Sequence, residues 1–349
     1  MKITWRSPSN LALIKYWGKH GRQLPNNASI SLTLQQAYSE TTLEYKEKEE
    51  DNGKISLTFL FEGKENAAFE AKIQRFLESI YEDFFPFLTG YDLHISSHNS
   101  FPHSAGIASS ASSMSALALC LCSLERLVSI TLPNEEIFYK KASDIARLGS
   151  GSASRSVYPY LAVWGKTDLV NNSSDEYAIG YGNEVDEVFH TFHDDIMMVS
   201  KAEKSVSSTA GHQLMENNPF AEVRYQQAYD NMNVLLQALK EGDLATFGRI
   251  TEQEALQLHA LMMTSDPSYI LMEGNSVEMI KRVRDWREKT GNHLYFSLDA
   301  GPNLHLLYPD NIKEEVKAFI KNELQPLCEN NEYLEDCVGK GAYQIHEEA

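Results

Sequence analysis

The chain has 349 residues, 42% hydrophobic and 23% charged, enough for two domains with a sizeable core. Its 49 acidic residues against 31 basic ones leave a net charge of −18, which argues against nucleic acid or an anionic membrane as the main partner. An anion-binding protein with this surplus of acid must gather its cations locally, so Lys and Arg inside polar motifs carry unusual information.

Met1 to Arg6 lacks the apolar centre of a signal peptide. Strands and a helix are expected over residues 1–100. Ile30, Leu32 and Leu34 alternate with polar residues, as do Ile55, Leu57, Phe59 and Phe61. Thr41–Tyr45 reads as a partner strand, and the charged span Lys46–Lys54 as an exposed hairpin loop. Ile73, Phe76, Leu77, Ile80, Tyr81 and Phe84 keep helical spacing, predicting a helix across one sheet face. A short strand, Leu93–Ile95, leads to Pro102–Ala111, which is small, polar and opens onto an apolar helical run from Met114 to Val128.

That run is too short to span a bilayer. Cys120, Cys122, Cys328 and Cys337 show no paired spacing and no adjacent His, so zinc is not expected and a reducing, cytoplasmic setting is. A helix capped by Asn134 is predicted over 134–147, then a strand over Val157–Trp164. The polar, turn-rich span Asn171–Asn183 fits the end of a first domain. Beyond it come a strand at Ile196–Val199 and helices near 219–240, 243–262 and 276–289. Two strands, Leu294–Leu298 and Leu304–Tyr308, and a helix over 311–325 complete the chain. Without regular βα alternation, the class is α+β.

Four polar segments interrupt this pattern. The first runs from Ser7 to Lys19 and contains Asn10, Ala12, Lys15, Tyr16, Trp17, Gly18 and Lys19. Two lysines and an aromatic pair suit a phosphate-bearing ligand, though solvated lysines at a strand edge fit as well. The second holds Ser104, Ala105, Gly106, Ile107, Ala108, Ser109 and Ser110. Gly106 permits close backbone approach, and Ser109 and Ser110 stand where N-caps stand, with hydroxyls available to phosphate or a metal. An ordinary Ser-rich helix start fits it too, and no Gly-Lys-Ser/Thr closes it as in a Walker loop. The third, Gly149–Arg155, is a nest of backbone donors ahead of a bidentate cation; a surface turn is its plainer reading. The fourth, Asp299–Asn303, sets an acid at a strand end before a tight turn, where Asp usually bonds its own backbone. All four together in one acidic chain are hard to explain without an anionic ligand.

These segments, in this order, resemble the diphosphomevalonate decarboxylases, of the superfamily of galactokinase, homoserine kinase, mevalonate kinase and phosphomevalonate kinase. Tyr16-Trp17-Gly18-Lys19 and Asp299-Ala300-Gly301-Pro302-Asn303 are the specific matches. Phe101–Ala111 is similar to the family's phosphate loop, Gly149–Ser156 to its arginine motif, and Lys204–Gly211 to its Ser-Ser-Thr loop. Departures are mild: His103 and Ser104 in the phosphate loop, Ser154 where Cys is common, and Ser7 where Ala is common.

The resemblance implies a two-domain fold. Residues 1–188 would be like ribosomal protein S5 domain 2 and bind ATP; residues 189–349 would be ferredoxin-like and carry the catalytic Asp. It implies ATP-dependent decarboxylation of (R)-5-diphosphomevalonate, with magnesium, in a homodimer. Asp299 would act on the tertiary hydroxyl, and Lys19 would neutralise the moving phosphoryl group and hold Asp299 ionised. Arg155 would grip the substrate carboxylate, with Asn10 beside it in the catalytic set. Ala12, Tyr16, Trp17, Gly18, Ser150, Gly151, Ser152, Ala153, Ser154 and Ser208 would complete the substrate site. Residues 104–110 would meet ATP, with Ser109 or Ser110 near magnesium. A decarboxylase preferring the monophosphate, a kinase that stops after phosphorylation, and a silent metabolite-binding relative are the alternatives.

Overall fold

The computed structural model describes residues 1–101, 107–129, 131–202 and 206–345. The first half is built on a long antiparallel pair, β1 (Lys2–Ile14) and β2 (Ser29–Glu47). The two expected strands around Ile30 and Thr41 are therefore one 19-residue strand. It is interrupted where the register jumps from Pro8 opposite Tyr38 to Asn10 opposite Thr33. The amides of Gln35, Gln36 and Ala37, freed there from the ladder, donate to the Asp336 carboxylate at 2.7–2.8 Å.

β3 (Ser56–Phe61), α1 (Ala67–Phe84) and β4 (Tyr91–Asn99) follow. β4 lies between β2 and β3 and pairs with β3 in parallel, so Lys46–Lys54 is a crossover and not a hairpin. Asn66 caps α1 through the Phe69 amide, and Ile73, Phe76, Leu77 and Ile80 form the buried stripe that periodicity predicts.

α2 (Ser109–Ser129) has 21 residues and is apolar enough by composition to cross a membrane. It is instead the core of the first half, buried between the sheet and α3 (Glu135–Gly149). Its serines explain the arrangement. Ser112 meets Ser39 of β2 at 2.7 Å, Ser115 bonds Ser7, and Ser123 accepts from the Trp5 indole at 2.8 Å. These are partners that lipid could not offer. Asn134 caps α3 as expected, accepting from the Ile137 amide.

β5 (Leu161–Trp164) and β6 (Ala178–Gly180) extend the first sheet from β2. The strand expected from Val157 starts only at Leu161, after a turn in which Tyr160 has a left-handed backbone, φ 59°.

The second half holds β7 (His193–Met197), α4 (Ser208–Gln213), α5 (Ala221–Glu241), α6 (Leu244–Met263), α7 (Gly274–Thr290), β8 (Tyr295–Ser297), β9 (Leu304–Tyr308), α8 (Lys313–Phe319), β10 (Tyr333–Leu334) and β11 (Tyr343–Ile345). Its sheet is antiparallel, in the order β8–β9–β7–β10. The chain end does not stay with this half, because β11 pairs with β1. A shared apolar cluster joins Leu11, Leu13 and Ile30 of the first sheet to Leu235, Phe247 and Leu307 of the second half. The mixed architecture is the α+β class read from the sequence.

Candidate active site

All four polar segments meet, through described residues, at one cavity of about 370 Å³ between the halves, the second of them through Ala108 and Ser110. Its lining includes Asn10, Ala12, Tyr16, Trp17, Lys19, Ser150, Gly151, Ser152, Arg155, Ser208 and Asp299. Residues nearly 300 positions apart thus face one another.

Arg155 forms the floor and is 1% exposed. Its Nε donates to Ser31 Oγ at 3.0 Å, its Nη1 to Ser29 Oγ, and its Nη2 to Asn10 Oδ1 at 3.3 Å. Among the described residues no carboxylate forms an ion pair with it. Burial pulls its pKa down to about 10, with Asp299 opposing the fall. Asn10 turns its amide nitrogen to the Ser152 carbonyl at 3.1 Å and to Ser156 Oγ at 2.8 Å, so one side chain orients both the guanidinium and the turn after α3. That turn needs glycine at 151: a Cβ there would stand 2.8 Å from both Tyr16 Oη and the Trp164 ring. The Tyr16 hydroxyl is buried with no hydrogen-bond partner among the described residues, and burial raises its pKa.

The acid stands opposite. The Asp299 carbonyl accepts from His259 Nε2 at 3.1 Å, and Asn303 is clamped to Ser200 through both amide atoms at 3.0 Å. With the turn held this way, the Asp299 carboxylate accepts from Lys15 Nζ at 2.9 Å. This corrects the sequence reading, in which Lys19 holds Asp299. β1 ends at Ile14, so Lys15 leaves the strand end pointing into the cavity, where Ser297 Oγ also accepts from it at 3.0 Å. Gly18, at φ 103°, then turns the chain away. Lys19 lies nearer the mouth, bonded to Gln23 Oε1 at 2.8 Å, with its pKa lowered by burial.

Other expected residues stand elsewhere. Ile107 is core, packed with Leu34, Phe101 and Ile196. Ala153 is likewise core, and Ser154 spends its hydroxyl on the Gly151 carbonyl at 2.8 Å. Gly18 packs against Tyr225 behind the cavity wall. α2 begins at Ser109, so Ser109 and Ser110 are its first helical residues and not its caps. Ser110 lines the cavity and meets Ser150 across it at 3.2 Å; Ser109 is not in the lining. His103, Ser104, Ala105 and Gly106, with Lys204 and Ser205, lie outside the described residues.

Four lining residues escaped the sequence reading: Gln23, Lys72 of α1, His212 and Leu258. An adjoining apolar recess of about 110 Å³, lined by Phe59, Phe61, Phe69 and Ile95, shares Lys72 and Ser110 with the main cavity.

Residues 7–178 match the family described as diphosphomevalonate decarboxylase-like N-terminal domain, and residues 196–348 match the mevalonate 5-diphosphate decarboxylase C-terminal domain. The chain is similar to the diphosphomevalonate decarboxylase of Ganoderma lucidum, 32% identical over 346 residues that cover 92% of this chain and 82% of the relative. The Saccharomyces cerevisiae protein of the same name is 30% identical over 90% of this chain and 79% of its own length. Among solved structures, mevalonate diphosphate decarboxylase from Staphylococcus aureus superimposes with a TM-score of 0.83 at 27% identity, covering 99% of this chain and 98% of that one. A structure described as MDDEF in complex with MVAPP, AMPPCP and magnesium gives 0.81 at 27% identity, covering 99% of both chains.

Proposed function

We infer the roles of individual residues from one premise: the chain belongs to the diphosphomevalonate decarboxylase family. The reaction is the ATP-dependent decarboxylation of (R)-5-diphosphomevalonate to isopentenyl diphosphate. A tertiary hydroxyl is a poor leaving group and a β-hydroxy acid has no electron sink. The hydroxyl is therefore phosphorylated first; phosphate then leaves and carbon dioxide is lost.

The observation that carries the site assignment is Arg155, a buried guanidinium held, among the described residues, by neutral acceptors alone. Buried cations are normally paired, and the planar fork of Arg fits a carboxylate bidentately. In this reading the substrate carboxylate is its missing counter-ion. Asp299 takes or orients the hydroxyl proton. Lys15, fixed on Asp299 at 2.9 Å, favours the ionised acid that this task needs. Lys19 stays with the phosphate groups at the mouth. As phosphate departs, positive charge grows on carbon, and the Asp299 carboxylate stabilises it electrostatically.

ATP would direct its phosphates towards Ser110 and the 104–110 loop and its base into the Phe-lined recess beyond Lys72. Ser109 stays in the reading through its place in the first turn of α2. Among the described residues no cluster of three His, Cys, Asp or Glu side chains could hold a metal. Magnesium is commonly held by substrate phosphates and few protein groups, here a serine hydroxyl of the α2 start. When bound it neutralises charge on the phosphate chain.

Four free cysteines, three of them buried, support the cytoplasmic setting. The homodimer remains an expectation, checked by sedimentation. The decisive assay is ATP-dependent carbon dioxide release by purified protein offered the mono- and diphosphate separately. Release from the diphosphate is expected; release from the monophosphate alone would move the chain to the sister specificity, and phosphorylation without release would make it a kinase.

A further inference from the structure

His212 is 7% exposed, lines the active cavity, and has no place in the roles above. Its ring stands between those of Tyr16 and Trp17, with centroids at 4.3 and 4.6 Å. The Gly18 amide donates to His212 Nδ1 at 3.0 Å. An amide N–H can only donate, so Nδ1 carries a lone pair and the ring proton sits on Nε2. The imidazole is neutral for a second reason: burial, assisted by the nearby Lys19 charge, drives its pKa down to about 3. Among the described residues nothing accepts from Nε2–H, the far end of a side chain whose other end is tied to Gly18, the residue between Trp17 and Lys19.

We propose that His212 is a substrate-binding residue whose Nε2–H donates to a diphosphate oxygen of the substrate on the Lys19 side of the cavity. This rests on the assignment of the cavity to diphosphomevalonate, with the carboxylate at Arg155. A molecule anionic at both ends then turns its diphosphate towards the remaining donors, and Lys19 and His212 stand there. The division of labour is physical. Lys19 supplies charge, while His212 supplies a directional donor with no second positive charge to bury beside it. Because the ring is neutral, its hydrogen bond does not titrate away near neutral pH. The Gly18 bond fixes both tautomer and direction, and the tilted Tyr16 and Trp17 rings packed on the imidazole restrict the rotamer freedom that a flexible donor would lose on binding.

Two substitutions separate substrate contact from a purely structural role. His212→Asn keeps an oxygen where Nδ1 stands, so the Gly18 amide keeps its acceptor, but leaves nothing at the Nε2 position. His212→Gln sets an amide donor near Nε2. KM for diphosphomevalonate is expected to rise about 10- to 100-fold in His212→Asn and to stay within about threefold of the parent in His212→Gln, with KM for ATP unaffected in both. An unchanged KM in His212→Asn, or equal impairment of both variants, overturns the proposal. A second readout needs no variant. In protein labelled with ¹⁵N-histidine, the His212 Nε2 proton should move downfield when inorganic pyrophosphate or diphosphomevalonate is added, while Nδ1 stays unprotonated. A resonance that ignores both ligands overturns the contact. If the parent protein releases no carbon dioxide from ATP and diphosphomevalonate, the underlying assignment has failed; if it does and His212 stays silent, only this inference has.

Discussion

Arg155 and Arg224 are both 1% exposed, yet they are finished to different degrees. Arg224 meets Glu254 through two bonds of 2.6 and 2.7 Å, and its Nη2 also donates to the Lys15 carbonyl at 3.1 Å. Glu254 in turn accepts from the Lys15 amide at 2.9 Å and from Asn231 at 2.7 Å. Charge is balanced, and the pair grips the backbone of the residue that faces Asp299. Arg155 has hydroxyls and an amide oxygen for partners and a cavity in front of it. The balanced arginine belongs to the fold. The unbalanced one is, in the proposed reading, the charge that the substrate carboxylate completes, and this difference supports placing the binding site there.

The largest expected effect lies on Asp299, the acid that Arg224 supports through Lys15. Asp299→Asn keeps the shape and removes the charge, so turnover should fall by about 10²–10⁴-fold while ATP and substrate still bind. Single-turnover analysis with labelled ATP and carboxyl-labelled substrate should show phosphate and carbon dioxide release lost together. Near-normal release would remove Asp299 from the chemistry.

Next comes the direct contrast. Arg224→Met leaves Glu254 buried and unpaired, and chemical denaturation should report a loss of about 3–5 kcal/mol. Arg155→Met leaves only neutral acceptors behind, so the loss should be under about 2 kcal/mol although more catalytic efficiency disappears. Equal destabilisation by the two would erase the distinction. Arg155→Lys should keep partial activity with poorer substrate binding, since charge survives and the fork does not.

Tyr16→Phe is the mildest. The hydroxyl has no partner among the described residues, so its removal should leave the melting temperature unchanged or slightly raised. KM for the substrate should rise about tenfold if the hydroxyl waits for the ligand. A clear loss of stability would show that it is bonded within the protein.

Much of this was legible from the chain. Tyr16, Trp17, Arg155 and Asp299 converge as expected, because each motif pairs chemistry with a backbone device, and Gly18, Gly151 and the 299–303 turn can be read as such. Lys15 was not separable from Lys19. Both flank the same aromatic pair, and only the strand end at Ile14 and the φ of 103° at Gly18 decide which one reaches the acid. His212 was not singled out, since nothing local reveals a ring tied to Gly18 from 194 positions away. Lys72 was not singled out either, because the helix was read from its apolar stripe alone. Glu254 and Arg224 lie on helices whose periodicity gives no sign of an internal charge pair. In the fold, the crossover before β3 was misread because a charged loop carries no record of whether the next strand pairs with its predecessor.

The central claim, that the substrate carboxylate completes Arg155, is tested most directly by a cycle across ligand and protein. Calorimetry would compare diphosphomevalonate with its carboxamide analogue on the parent protein and on Arg155→Met. The parent should prefer the carboxylate by about 30-fold or more, and the variant by less than about threefold, a coupling of about 1.5 kcal/mol or more. The same preference in both proteins would mean that the carboxylate binds elsewhere and that the unpaired guanidinium has another purpose.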